Sequence, residues 1–165
     1  AATSARRRRL RSTRPAGRRL AASSIVGDSM HPVAETDNFL GLLGLQLDEV
    51  SPDRVTAHLE VRPELHQPFG ILHGGVHCSI VETLASVAAA VWLGQDGHVV
   101  GVANQTDFLR AVRTGVLRAE ALPVQRGRTQ QLWTVQIWDE DDRLVAKGQV
   151  RLQNVRSTEA LGRPA

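Results

Sequence analysis

With 165 residues, 42% of them hydrophobic, the chain has room for one domain with a substantial core and is too short to expect two. It has no Tyr, so that core must be aliphatic and alanine-rich, and its single cysteine, Cys78, excludes an internal disulfide or a cysteine-based zinc site. The net charge of +3 is misleading: Arg6, Arg7, Arg8, Arg9, Arg11, Arg14, Arg18 and Arg19 all precede the first acid, Asp28, and from Ser23 onward 12 basic residues face 17 acidic ones.

Residues 1–24 are rich in Arg, Ala and Ser and show no periodic apolar pattern. They lack the hydrophobic run of roughly 7–15 residues that marks a secretory signal. In composition they resemble a transit peptide, and their charge suits electrostatic contact with nucleic acid, but the simplest reading is a disordered extension. The opening on Ala1 rather than Met is compatible with residues having been removed. We therefore expect a disordered tail over 1–24, one domain over 25–156, a flexible end over 157–165, and a cytoplasmic protein.

Residues 36–47, TDNFLGLLGLQL, read as a short helix capped by Asp37 and broken at Gly44. In 55–61, Val55, Ala57, Leu59 and Val61 alternate with Thr56, His58 and Glu60, the signature of a half-buried strand. Arg62-Pro63 ends it, and 64–71 form a loop. The stretch 72–93, LHGGVHCSIVETLASVAAAVWL, is a Gly-Gly break running into one long apolar helix with no expected wet face. Residues 76–93 rise roughly 27 Å, near the lower limit for crossing a bilayer. Glu82, His77 and the absence of a second hydrophobic segment favour the central helix of a soluble protein instead. After a turn at 94–97, residues 99–104, 115–123, 130–139 and 144–154 read as strands, the last two as a hairpin around 140–143. The fold class expected is α+β, a long central helix wrapped by an antiparallel sheet of five to six strands.

The chemistry gathers on that helix. His73-Gly74-Gly75 lets the backbone approach a ligand closely, and the free N–H groups of the first helical turn carry the positive end of the macrodipole, a natural site for an oxyanion. Glu82 lies about two turns further in, and Ser86 follows one turn later on the same face, where its hydroxyl can bond the carboxylate or a water. A carboxylate in an apolar helix is costly unless paired or used. There is no P-loop, GxGxxG or GxSxG, and the His73/His77 pair with Glu82 does not match HExxH, so no metal is expected.

Gln67, His73-Gly74-Gly75, Glu82 and Ser86 at these spacings, with Arg126-Gly127-Arg128 ahead of the Trp133 strand, resemble the hot-dog fold acyl-CoA thioesterases. Within that superfamily the similarity is to the Glu-using branch of 4-hydroxybenzoyl-CoA and 1,4-dihydroxy-2-naphthoyl-CoA thioesterases. The resemblance implies a cofactor-free hydrolase acting on an aromatic or medium-chain acyl-CoA. It also implies a homodimer, often paired into a tetramer, with sites shared between subunits. Gly74 would supply the oxyanion N–H, Gln67 would orient the acyl carbonyl or the water, and Glu82 would be nucleophile or general base. Ser86 would position the water or Glu82, and His73 would shape the turn. Gly75, Arg126, Gly127 and Arg128 would bind substrate, although the arginines read equally well as a solvated turn. Neither a membrane nor nucleic acid is an expected partner. The alternative kept open is a non-catalytic hot-dog protein that senses acyl-CoA; a hydratase of this fold would need an Asp-His pair that is not evident.

Overall fold

The computed structural model describes residues 38–156, so the expectations for the two tails and for Asp37 as a cap lie outside the described residues. The first helix, α1 (Phe39–Leu43), is shorter than the 36–47 reading. Asn38 caps it, its Oδ1 accepting from the N–H groups of Leu40 and Gly41, and Gly44 ends it in the left-handed conformation at φ 76°. Residues expected to continue that helix instead form strand β1 (Gln46–Val50). A bulge between Leu47 and Glu49 breaks its alternation, which is why no period-two signal is visible there.

Strand β2 (Val55–Glu60) follows the expected alternation, with Val55, Ala57 and Leu59 buried. The long helix α2 runs over Gly74–Leu93, and β3 (His98–Phe108), β4 (Val116–Arg126), β5 (Gln130–Trp138) and β6 (Leu144–Val155) follow within the described residues. All six strands form one antiparallel sheet in the order β1-β2-β4-β5-β6-β3. This is the hot-dog arrangement: α2 lies across the inner face of the sheet and touches every strand.

Helix α2 buries Ile80, Val81, Leu84, Ala85, Ala88 and Ala89 completely, against inward side chains such as Trp133, Val135 and Leu152. Each large aliphatic side chain buried in this way contributes about 1.5–3 kcal/mol. By length and composition α2 could cross a membrane; here its apolar side is packed on the sheet. The expectation of no wet face needs correction, because Ser79, Glu82, Thr83 and Ser86 form a half-buried stripe. Glu82 of that stripe meets β3, one of the two edge strands of the sheet.

One buried polar network locks the far end of the sheet. Gln131, fully buried, donates to Asn154 Oδ1 at 2.8 Å and to the Ala89 carbonyl at 3.3 Å, and accepts from Trp133 Nε1 at 2.9 Å. Asn154 in turn donates to the carbonyls of Gly127 and Arg128, fixing the β4–β5 turn.

Candidate active site

The start of α2 is built by His73. Its backbone is extended (φ −67°, ψ 134°), and its Nδ1 accepts from the Gly75 N–H at 2.9 Å, so the side chain caps the helix. Gly74 and Gly75 are therefore the first two helical residues, not a break ahead of the helix. The N–H of Gly74 has no acceptor among the described residues and sits at the positive end of the helix dipole. The Phe108 ring packs directly against Gly74 and lies 5.9 Å from the ring of His77. His77 is buried, its Nδ1 has no partner among the described residues, and burial pushes its pKa down from 6.5 to about 4. It is therefore neutral at neutral pH, as suits an imidazole in the first turn of a helix.

Two turns along, Glu82 meets β3 rather than Ser86. Glu82 Oε2 accepts from Asn104 Nδ2 at 3.0 Å, the same nitrogen donates to the Cys78 carbonyl at 3.1 Å, and Thr106 Oγ1 donates to Asn104 Oδ1 at 2.7 Å. Ser86 shares the half-buried stripe, its hydroxyl makes no hydrogen bond among the described residues, and the bond to the carboxylate comes from Asn104. A bulge between Gly101 and Ala103 turns both Gly101 and Asn104 toward α2. Gly101 has no side chain to fill the space, and the carboxylate lies directly on it.

Gln67 stands in the loop before α2. Its Oε1 accepts from the Phe69 N–H at 2.9 Å and its carbonyl accepts from the Gly70 N–H, holding a tight turn that leaves Phe69 exposed. Among the described residues, no hydrogen bond joins Gln67 or Gly74 to Glu82. Arg126 lies elsewhere: it donates to the Pro52 carbonyl and to Asp53 Oδ1, with its guanidinium 5.5 Å from the Trp92 ring and 6.0 Å from that of Trp133. The Gly127 N–H closes the turn onto the Gln130 carbonyl, and the Arg128 side chain is exposed. No cluster of three His, Cys, Asp or Glu side chains able to hold a metal occurs among the described residues.

Sequence reasoning missed Gly101, Asn104 and Thr106. All three fall within or next to a segment read only as a strand, and the bulge that aims them inward leaves no mark in the residue pattern.

The profile of the thioesterase superfamily matches residues 69–146. A Mycobacterium tuberculosis protein whose name includes the word esterase is 50% identical over 133 residues, covering 79% of this chain and 95% of the relative. The crystal structure of S. sahachiroi AziG superposes with a TM-score of 0.72 at 52% identity, covering 74% of this chain and all of that one. An Arabidopsis thaliana protein named 1,4-dihydroxy-2-naphthoyl-CoA thioesterase 2 is 38% identical over 112 residues, 67% of this chain and 71% of the relative. The hot-dog sheet around one central helix is accompanied by matches to proteins named as thioesterases, and these define a thioester hydrolase. The chain belongs to the thioesterase superfamily.

Proposed function

We propose that the protein hydrolyses an aromatic or medium-chain acyl-CoA to the free acid and CoA. The Glu82 carboxylate acts as nucleophile or general base, and the Gly74 N–H as oxyanion donor. The observation that carries this reading is the carboxylate itself, held by Asn104 through Oε2 with Oε1 left unbonded. As the thioester is attacked, negative charge develops on its carbonyl oxygen, and one preorganised N–H there is worth about 3 kcal/mol. Ser86, with a hydroxyl not engaged in the protomer, suits a water held beside Glu82, and Gln67 suits the acyl carbonyl or that same water. A relative named for 1,4-dihydroxy-2-naphthoyl-CoA supports an aromatic acyl group.

Gly74 and Glu82 are eight positions apart on α2, roughly 12 Å along its axis, too far to act on one carbon. That separation supports a homodimer in which Gly74 and Gln67 of one subunit face Glu82 of the other. The edge strand β3 offers a free edge for such pairing, and its Val102, Phe108 and neighbouring Leu109 are exposed. Arg128 is the freer of the two arginines to reach a CoA phosphate, since Arg126 already has Asp53.

The test is thiol release from a panel of aromatic and aliphatic acyl-CoAs by wild type and by Glu82→Ala, with folding of both verified. Turnover by wild type that falls about a thousandfold or more in the variant is the expected result. Tight CoA binding with no turnover on any member would overturn it in favour of an acyl-CoA sensor.

A further inference from the structure

We infer that Asn104 is a positioning residue for the Glu82 carboxylate, itself oriented by Thr106; this rests on the thioesterase reading of Glu82. Asn104 and Thr106 are two apart on β3 and share its inward face, directly opposite the half-buried stripe of α2.

The direction of the Asn104 amide follows from what surrounds it. Glu82 Oε2 and the Cys78 carbonyl offer only lone pairs, so the NH2 end must face both, at 3.0 and 3.1 Å. Turned the other way, Oδ1 would confront two acceptors. Thr106, whose hydroxyl can give or take, then has to donate to Oδ1, as its 2.7 Å contact allows. Both amide hydrogens and the amide oxygen are thereby used. The amide is tied to the backbone of α2 at Cys78 and to its own strand at Thr106, so it is a rigid donor rather than a swinging one.

The consequence falls on Glu82. Its Oε2 is occupied, its Oε1 rests against Gly101, and the carboxylate plane is fixed between helix and strand. A Glu side chain otherwise has three rotatable bonds, and a small misplacement of a reacting group costs on the order of a hundredfold in rate. Asn104 thereby fixes which way the Glu82 carboxylate faces.

The experiment uses the full chain and the best acyl-CoA substrate from the panel. It compares Asn104→Ala, Thr106→Val and Thr106→Ser, each alone and Asn104→Ala also in the Glu82→Ala background, by kcat, KM and thermal melting. Asn104→Ala is expected to lower kcat about ten- to a hundredfold with KM within about twofold of wild type. Thr106→Val should lose a few-fold and Thr106→Ser recover it. In the Glu82→Ala background, Asn104→Ala should cause no further loss, because a residue that works through Glu82 has nothing left to position. A lowered melting temperature with wild-type kcat would overturn the inference and leave Asn104 as a strap between β3 and α2. So would an equal loss in both backgrounds. If Glu82→Ala keeps full turnover, the thioesterase reading of Glu82 falls; if Glu82→Ala is inactive and Asn104→Ala is not impaired, only the role of Asn104 falls.

Discussion

Gly101 and Glu82 touch across the seam between β3 and α2: the carboxylate occupies the space that a side chain at 101 would need. Gly101→Ala therefore forces the Glu82 side chain aside while leaving its chemistry intact. Because the displaced carboxylate can swing toward solvent, the fold should lose little, whereas kcat should drop about ten- to a hundredfold. Parallel measurement of kcat and of the thermal unfolding midpoint separates these effects; a variant as active as wild type would show that the carboxylate does not need this seat.

The buried imidazole of His77 predicts an acid sensitivity with a definite sign. Its pKa is about 4 in the fold against 6.5 for an exposed imidazole, so between those values the unfolded chain binds more proton at this position. Stability contributed by the neutral ring is fully present above pH 6.5 and is lost as pH falls toward 4, to the extent of about 3 kcal/mol. His77→Leu abolishes that term. Urea unfolding at pH 7, 5.5 and 4.5 should show the wild type weakening relative to the variant as the pH falls; parallel curves would refute the assignment.

Gln131 has no role at the candidate site, yet its substitution should be among the most damaging to the fold. Gln131→Leu strands Trp133 Nε1 and Asn154 Oδ1 without partners in a fully buried setting, costing about 2–4 kcal/mol. Denaturant titration at neutral pH gives the value directly. A loss below about 0.5 kcal/mol would mean the network is slack.

Arg126 and Arg128 flank one glycine but should respond differently. Arg126→Ala removes an ion pair with Asp53 and the stacking on Trp92 and Trp133, and should lower the melting temperature. Arg128→Ala, at an exposed side chain, should leave melting unchanged and raise KM for acyl-CoA if that guanidinium meets a CoA phosphate. Steady-state kinetics on both variants, read beside their melting curves, tests the division.

The features legible from sequence were those carried by local pattern. The run from Val76 to Leu93 contains almost nothing but apolar and small residues, and His73-Gly74-Gly75 before it marks a helix start, so α2 and the placement of Glu82 on it were readable. Strands β2 and β5 alternate cleanly and are equally plain. What was hidden depends on bulges and on the partners they select. Asp48 interrupts β1 and Val102 interrupts β3, so neither register can be counted from residue types. The carboxylate was visible, but its partner was not: Ser86 is the obvious neighbour at helical spacing, whereas Asn104 reaches Glu82 only because the sheet folds back over the helix.

The sheet order carries a consequence for how the site comes into being. Among the described residues β3 is hydrogen-bonded only to β6, the last of their strands, from His98 opposite Val155 to Phe108 opposite Ala146. Glu82 and its helix leave the ribosome long before this partner exists, and until β6 arrives, no neighbouring strand holds β3 in the sheet. A chain cut short ahead of β6 would keep every residue singled out at the start of α2 but lose the strand that pairs with β3 and places Gly101 and Asn104 beside Glu82.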